Sequence, residues 1–139
     1  RGSKQVVDRL DVPNSAGEQA YTRWQSRDLI SQARPHILQP DVVKCGGITE
    51  MRKIAVLSDT YSKDFVPHQT QPTIGTAASL HVVASIQTAN KPQEFTGERP
   101  ELNTIFKEPL EFKDGHITLP KGPGLGLEID TDRMTELAL

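Results

Sequence analysis

Four residues with side chains suited to proton transfer recur at a nearly constant interval along the chain: Glu18, Asp41, His68 and Glu94. They are separated by 23, 27 and 26 residues. An imidazole changes charge near neutral pH, and a carboxyl group serves as acid, base or orienter, so the set suits general acid–base chemistry. One strand, one helix and two loops together take about 25 residues. The spacing therefore predicts that each βα unit delivers one acid or base at the carboxyl end of its strand.

The elements that must position these residues alternate along the first two thirds of the chain. Residues 4–10 read as the end of a helix, broken at Asp11-Val12-Pro13 because proline disfavours helical geometry in the residue before it. A short stretch from Asn14 to Glu18 follows, then a helical segment near 22–34. Ile37 to Val43 reads as a strand with a polar end. Beyond Gly46-Gly47, Ile48, Met51, Ile54, Ala55 and Tyr61 fall at helical period, which predicts a helix over 48–62. Asp64 to His68 is a predicted strand and Thr73 to Gln87 a predicted helix, with Ile74, Ala77, Ala78, Leu80 and Ala84 near one face. Pro92 to Phe95 is a fourth predicted strand. This alternation marks an α/β chain with parallel strands. In a (β/α)₈ barrel the strand ends would converge on one mouth, and in a doubly wound open sheet they would also collect a ligand, so spacing alone admits both. The tail differs. Residues 110–119 place Asp114-Gly115 between two arms, a hairpin signal. Residues 120–126 form a Gly/Pro-rich loop, and Asp130-Thr131 would cap a final helix running to the end.

Composition narrows the function classes. The 139 residues carry 16 Lys+Arg against 18 Asp+Glu, a formal net charge of −2. That balance argues against a nucleic-acid partner, which selects clustered positive charge. Mean hydropathy is −0.47, and no apolar run reaches the roughly 18–20 residues of a membrane helix. The first residues lack the apolar stretch of a signal peptide. The single cysteine excludes an internal disulfide framework or a cysteine-based zinc site. A soluble, cytoplasmic protein is expected.

Ala16-Gly17-Glu18, the run Gln39-Pro40-Asp41-Val42-Val43-Lys44-Cys45-Gly46-Gly47-Ile48-Thr49-Glu50, Pro67-His68, Gln93-Glu94 and Pro123-Gly124-Leu125-Gly126 together resemble the C-terminal half of the enolase superfamily. The resemblance extends from about Lys4 to the end. It is nearest the mandelate racemase and muconate lactonizing group, and within it the acid-sugar, galactonate-like dehydratases. It implies the C-terminal half of a TIM-like barrel, strands five to eight, over residues 1–109. Residues 110–139 would be a hairpin and helix segment packing toward a capping domain. It further implies that Glu18 is a carboxylate ligand of Mg²⁺, that His68 is a catalytic base paired with Asp41, and that Glu94 hydrogen-bonds the substrate carboxylate. Muconate-lactonizing relatives carry lysine at the position of Asp41, which favours the His–Asp subgroup.

The implied chemistry suits these residue types. A proton α to a carboxylate is very weakly acidic, and its loss builds a dianion that a hard cation on carboxylate oxygens neutralises. A neutral imidazole is the matched base, and an aspartate on its other nitrogen fixes the tautomer. Glu94 would have to be protonated to donate to the substrate. The protonated His68 would then release a β-hydroxyl as water, giving a 2-keto-3-deoxy acid. Racemisation or epimerisation of a 2-hydroxy acid is the alternative and would need a second base; a non-catalytic truncated or assembly protein is a third reading. The expected partner is a small sugar acid or 2-hydroxy acid, and the full-length protein is expected to form a homo-oligomer.

The resemblance also implies an N-terminal half-barrel, a capping domain and two further metal carboxylates that these residues do not contain, so the chain alone is expected to be inactive. Other polar residues have plainer expectations. His36 would be a surface or packing residue, His81 a packing residue between helix and barrel, His116 solvated and Cys45 structural. Lys44 would contact a ligand or form a salt bridge. Tyr21 and Arg23 are candidates for substrate contact, and Gln69, Thr70 and Gln71 for contacts to sugar hydroxyls. Trp24 is expected to pack. The 122–126 segment lacks the spacing of a dinucleotide loop.

Overall fold

A computed structural model of the chain describes residues 2–71, 73–95 and 103–138. Three short strands, β1 (Ser15–Ala16), β2 (Ile37–Leu38) and β3 (Asp64–Phe65), are the framework. They pair in parallel in chain order β1-β2-β3, with Ser15 opposite Ile37 and Ile37 opposite Asp64. Parallel neighbours require a crossover. Helix α2 (Arg23–Gln32) supplies the first and α3 (Ile48–Thr60) the second; α1 (Gly2–Val7) precedes β1 and α4 (Thr73–Ala84) follows β3.

The core forms where the buried stripe of each helix meets the sheet. Ile30 of α2, Met51, Ile54 and Ala55 of α3 and Val82 of α4 cluster with Leu38, Val42, Cys45 and Phe65. Helix α3 follows the predicted apolar period, burying Met51, Ile54, Ala55 and Ser58. Ser58 reaches its buried position by donating its hydroxyl to the Lys63 carbonyl at 3.0 Å. The Thr22 hydroxyl caps α2 by accepting from the Gln25 N–H at 3.3 Å.

Four predicted elements differ. The strand expected over 64–68 ladders only at Asp64 and Phe65. The strand expected over 37–43 ladders only at Ile37 and Leu38, because Pro40 has no N–H and the chain turns at Asp41, whose carbonyl accepts from Lys44 and Cys45. Helix α4 stops at Ala84, short of the predicted Gln87, and its predicted face is wrong at Ile74 and Ala84, which are exposed; the buried face carries Thr73, Gly75, Thr76, Ala77, Ser79 and Val82. Small and hydroxyl-bearing residues let that helix lie close to the loop before it, and they do not register as an apolar stripe. Residues 92–95 form no strand, and Pro92 brings no donor for a ladder.

The tail follows its turn chemistry. Asp114 and Gly115 both hold positive φ, 50° and 79°, as a two-residue hairpin requires, between β4 (Phe112–Lys113) and β5 (His116–Ile117). The predicted last helix is α5 (Thr131–Leu137), with the Asp130 side chain accepting from the Arg133 N–H at 2.9 Å. His81 of α4 ties this tail to the rest, its Nε2 meeting the Leu125 carbonyl at 3.2 Å. No helix among the described residues is long and apolar enough to cross a membrane.

Candidate functional site

The site gathers at the carboxyl ends of the three parallel strands. After β1 the chain turns at Gly17, whose φ is +144°. A Cβ there would lie 2.9 Å from the backbone N and C of Gln39, so only glycine lets β1 run this close to the segment after β2 and place Glu18 at the strand end. After β2, Asp41 is fully buried. Its Oδ1 accepts from the Val43 N–H at 2.9 Å, a local turn that fixes the carboxylate. After β3, the His68 N–H donates to the Pro40 carbonyl at 3.0 Å, and His68 and Asp41 form a parallel bridge.

That backbone pairing sets the side-chain geometry. His68 Nδ1 lies 3.0 Å from Asp41 Oδ2. An ionised carboxylate only accepts, so Nδ1 donates to it, and in the neutral imidazole Nε2 then keeps the lone pair. Nε2 lies 3.7 Å from Glu18 Oε2. Glu18 and His68 line a cleft of about 580 Å³ together with Gly17 and Gln39, while Asp41 stands behind the imidazole, outside the lining. The arrangement is an imidazole held by a buried carboxylate and opening beside a second carboxylate.

Charges around Glu18 are paired. Lys44 Nζ lies 2.5 Å from Glu18 Oε1. The hydrogen bond from Lys44 holds the Glu18 carboxyl below its usual range against an opposing effect of desolvation, with His68 as a smaller contribution. The same bond holds the Lys44 ammonium above its usual range. Of the two expectations for Lys44, the salt bridge is the one seen. Neighbouring Cys45 is a buried free thiol pushed up to about 11, mainly by desolvation and next by the Asp41 charge. It is therefore a poor nucleophile at neutral pH, in keeping with its expected structural role.

Glu94 stands apart from this cleft. Its Oε2 accepts from the Gln69 N–H at 2.8 Å, and it lines a separate cavity of about 380 Å³ with Pro67, Leu80, Phe95 and Phe112. Gln69, expected as a sugar contact, is instead buried, its side chain held by Thr76 and Ser79. No apolar period or charge pattern marks such a residue; its polarity suggested the opposite. Arg23 is committed to α3: its N–H donates to Glu50 Oε1 at 3.1 Å and its guanidinium to Oε2 at 3.0 Å. Trp24 does not pack into the core. It is exposed, with the Arg23 and Arg27 guanidinium groups 4.8 and 5.8 Å from its ring centroid. His36 and His116 are exposed. Tyr21, in the loop after Glu18, is also exposed, its N–H bonded to Gln25 Oε1 at 2.7 Å.

A hard divalent cation needs about six oxygen ligands. Among the described residues no group of three or more His, Cys, Asp or Glu could hold a metal, and one oxygen of Glu18 is already taken by Lys44. These residues alone do not make a Mg²⁺ site.

The family model described as enolase C-terminal domain-like matches residues 1–133. Arabinonate dehydratase of Saccharolobus solfataricus is 35% identical over 129 residues, covering 91% of this chain and 34% of that protein. D-galactarolactone cycloisomerase of Agrobacterium fabrum is 33% identical over 136 residues, covering 92% and 36%. A mandelate racemase/muconate lactonizing protein from Paracoccus denitrificans superposes with a TM-score of 0.89 at 40% identity, over 96% of this chain and 36% of its own. A second structure of that protein is complexed with magnesium. The chain spans about a third of the length of these relatives. Parallel strands joined by helices, a turn glycine before each of Glu18 and α3, and the family match together place the chain in the enolase C-terminal domain-like family, as part of its barrel.

Proposed function

We propose that this chain carries the base-bearing part of the active site of an acid-sugar dehydratase. The single observation behind this reading is the His68 imidazole, fixed through Nδ1 by buried Asp41, with Nε2 facing the cleft beside Glu18. Nε2 takes the proton α to the substrate carboxylate, and the C–H electron pair passes into an enediolate. Asp41 stabilises the imidazolium that forms. The enediolate collapses with loss of the β-hydroxyl, which takes the proton from His68 Nε2 and leaves as water. The enol product tautomerises to a 2-keto-3-deoxy acid. Glu94, whose Oε2 accepts from the Gln69 N–H and which lines the neighbouring cavity rather than the cleft, is the remaining candidate for contact with the substrate carboxylate.

In the complete protein a Mg²⁺ ion would stabilise the developing negative charge, with Glu18 as one ligand and further carboxylates from sequence outside these residues. The isolated chain is accordingly expected to show no turnover. The reading is tested with a protein that includes the remaining barrel, assayed for Mg²⁺-dependent dehydration of a panel of aldonic acids and for α-proton exchange in D₂O. His68→Ala should abolish both while metal binding persists; retained exchange in that variant refutes the assignment. The similarity to a cycloisomerase favours one second reading, in which the same base opens a lactone ring rather than expelling a hydroxyl. Product analysis on aldonates and aldarolactones separates the two.

A further inference from the structure

We infer that Gln69 is a positioning residue that holds the Glu94 carboxyl in place. The segment carrying Glu94 belongs to no ladder: residues 92–95 have no strand pairing. Among the described residues, the Glu94 carboxyl is held by the Gln69 N–H, which donates to Oε2 at 2.8 Å. An unladdered carboxylate owes its orientation to such a bond, and its position is only as fixed as the peptide that donates it.

The Gln69 peptide is itself locked from the other side. Its side-chain Nε2 donates to Thr76 Oγ1 at 2.8 Å and to the Gln71 carbonyl at 3.1 Å, and its Oε1 accepts from Ser79 Oγ at 3.0 Å. Thr76 and Ser79 lie three residues apart on α4 and share its buried face. Gly75 lets the helix approach: a Cβ there would sit 2.4 Å from Gln71 Cβ. Residues 69–71 are thus clamped through one amide, which passes the position of the helix to Glu94. His68 is the preceding residue, so the same short segment sets the base and the second carboxyl together.

This inference rests on the reading of Glu94 as a substrate contact, but its test does not require turnover. Amide hydrogen exchange and ¹H shifts would be recorded for Gln69, Val66 and His68 in the 139-residue chain, with the Glu94 side-chain ¹³C shift. In the doubly substituted Thr76→Val, Ser79→Ala chain, Gln69 exchange should rise by roughly tenfold or more, and the Glu94 carbon should move. Val66 and His68, bonded to Leu38 and Pro40, should stay protected. Thr76→Ser should restore the wild-type values. Equal acceleration of all three amides, or no change at Gln69 and Glu94, overturns the inference. Should the double substitution unfold the chain, Glu94→Gln serves instead: the Gln69 amide proton should shift upfield with faster exchange, and an unmoved amide overturns the inference. If these results hold while Glu94→Gln leaves dehydration in the complete protein intact, the reading of Glu94 as a substrate contact fails and the positioning role stands.

Discussion

Replacing Asp41 by asparagine changes one atom of the site and reverses its logic. The side chain keeps its shape, and its carbonyl can still accept from the Val43 N–H, 2.9 Å away. The other terminus becomes an NH₂ donor facing His68 Nδ1 across 3.0 Å. A neutral imidazole must then accept at Nδ1 and carry its proton on Nε2. The atom 3.7 Å from Glu18 Oε2 would hold an N–H instead of a lone pair, and the base would be lost without any movement. A bond to a charged acceptor contributes about 1.5–3 kcal/mol and a neutral one about 0.5–1.5. The expected loss is therefore about 1 kcal/mol, or roughly 4 °C in Tm for a domain of this size. Long-range ¹H–¹⁵N spectra of the His68 ring read the tautomer directly, and urea unfolding reads the stability. A wild-type ring protonated at Nε2 would refute the reasoning, as would an Asp41→Asn ring still protonated at Nδ1.

Three further outcomes are expected. Gly17→Ala should cost at least about 2 kcal/mol in urea unfolding, since it combines a strained φ with a Cβ 2.9 Å from the Gln39 backbone. Cys45, buried and pushed up to about 11, should resist thiol reagents at pH 8 in the native chain and react once urea exposes it. Glu18 is held below its unfolded value of 4.5 by Lys44. Its contribution is therefore present above about that pH and lost as pH falls through the lowered folded value. In Lys44→Met, the urea midpoint should change less between pH 6 and pH 3 than in wild type, and an equal change in both would contradict the pairing.

The parts of this molecule legible in the sequence are those written in local chemistry. Asp114-Gly115 specifies its hairpin through positive φ, Asp130 announces a helix cap, and Met51, Ile54 and Ala55 trace a helix period. Asp41 and His68 were marked by their interval, because parallel strands of equal unit length bring their ends side by side. The buried face of α4 was not legible, since Gly75, Thr76 and Ser79 pack by smallness and by satisfied hydroxyls rather than by hydrophobicity. Gln69 was misread for the same reason: a polar residue beside a catalytic candidate suggests a ligand contact, and only tertiary hydrogen bonds reveal that it faces inward. The interval places Glu94 at the mouth, but no ladder lies under it, and among the described residues the Gln69 N–H is what its carboxyl meets.

Helix α3 packs against α2, α4 and β3, and the strands pair only with their neighbours in the chain. Such an array opens like a stack of repeats, with cooperativity passed from one unit to the next. Met51 and Ile54 are completely buried between those neighbours, so α3 should be among the last segments to exchange its amides. Asp41 enters the turn that leads into α3, and His68 follows the strand that leaves it. The His68–Asp41 contact thus joins the two ends of the α3 unit across the turn before it and the strand after it.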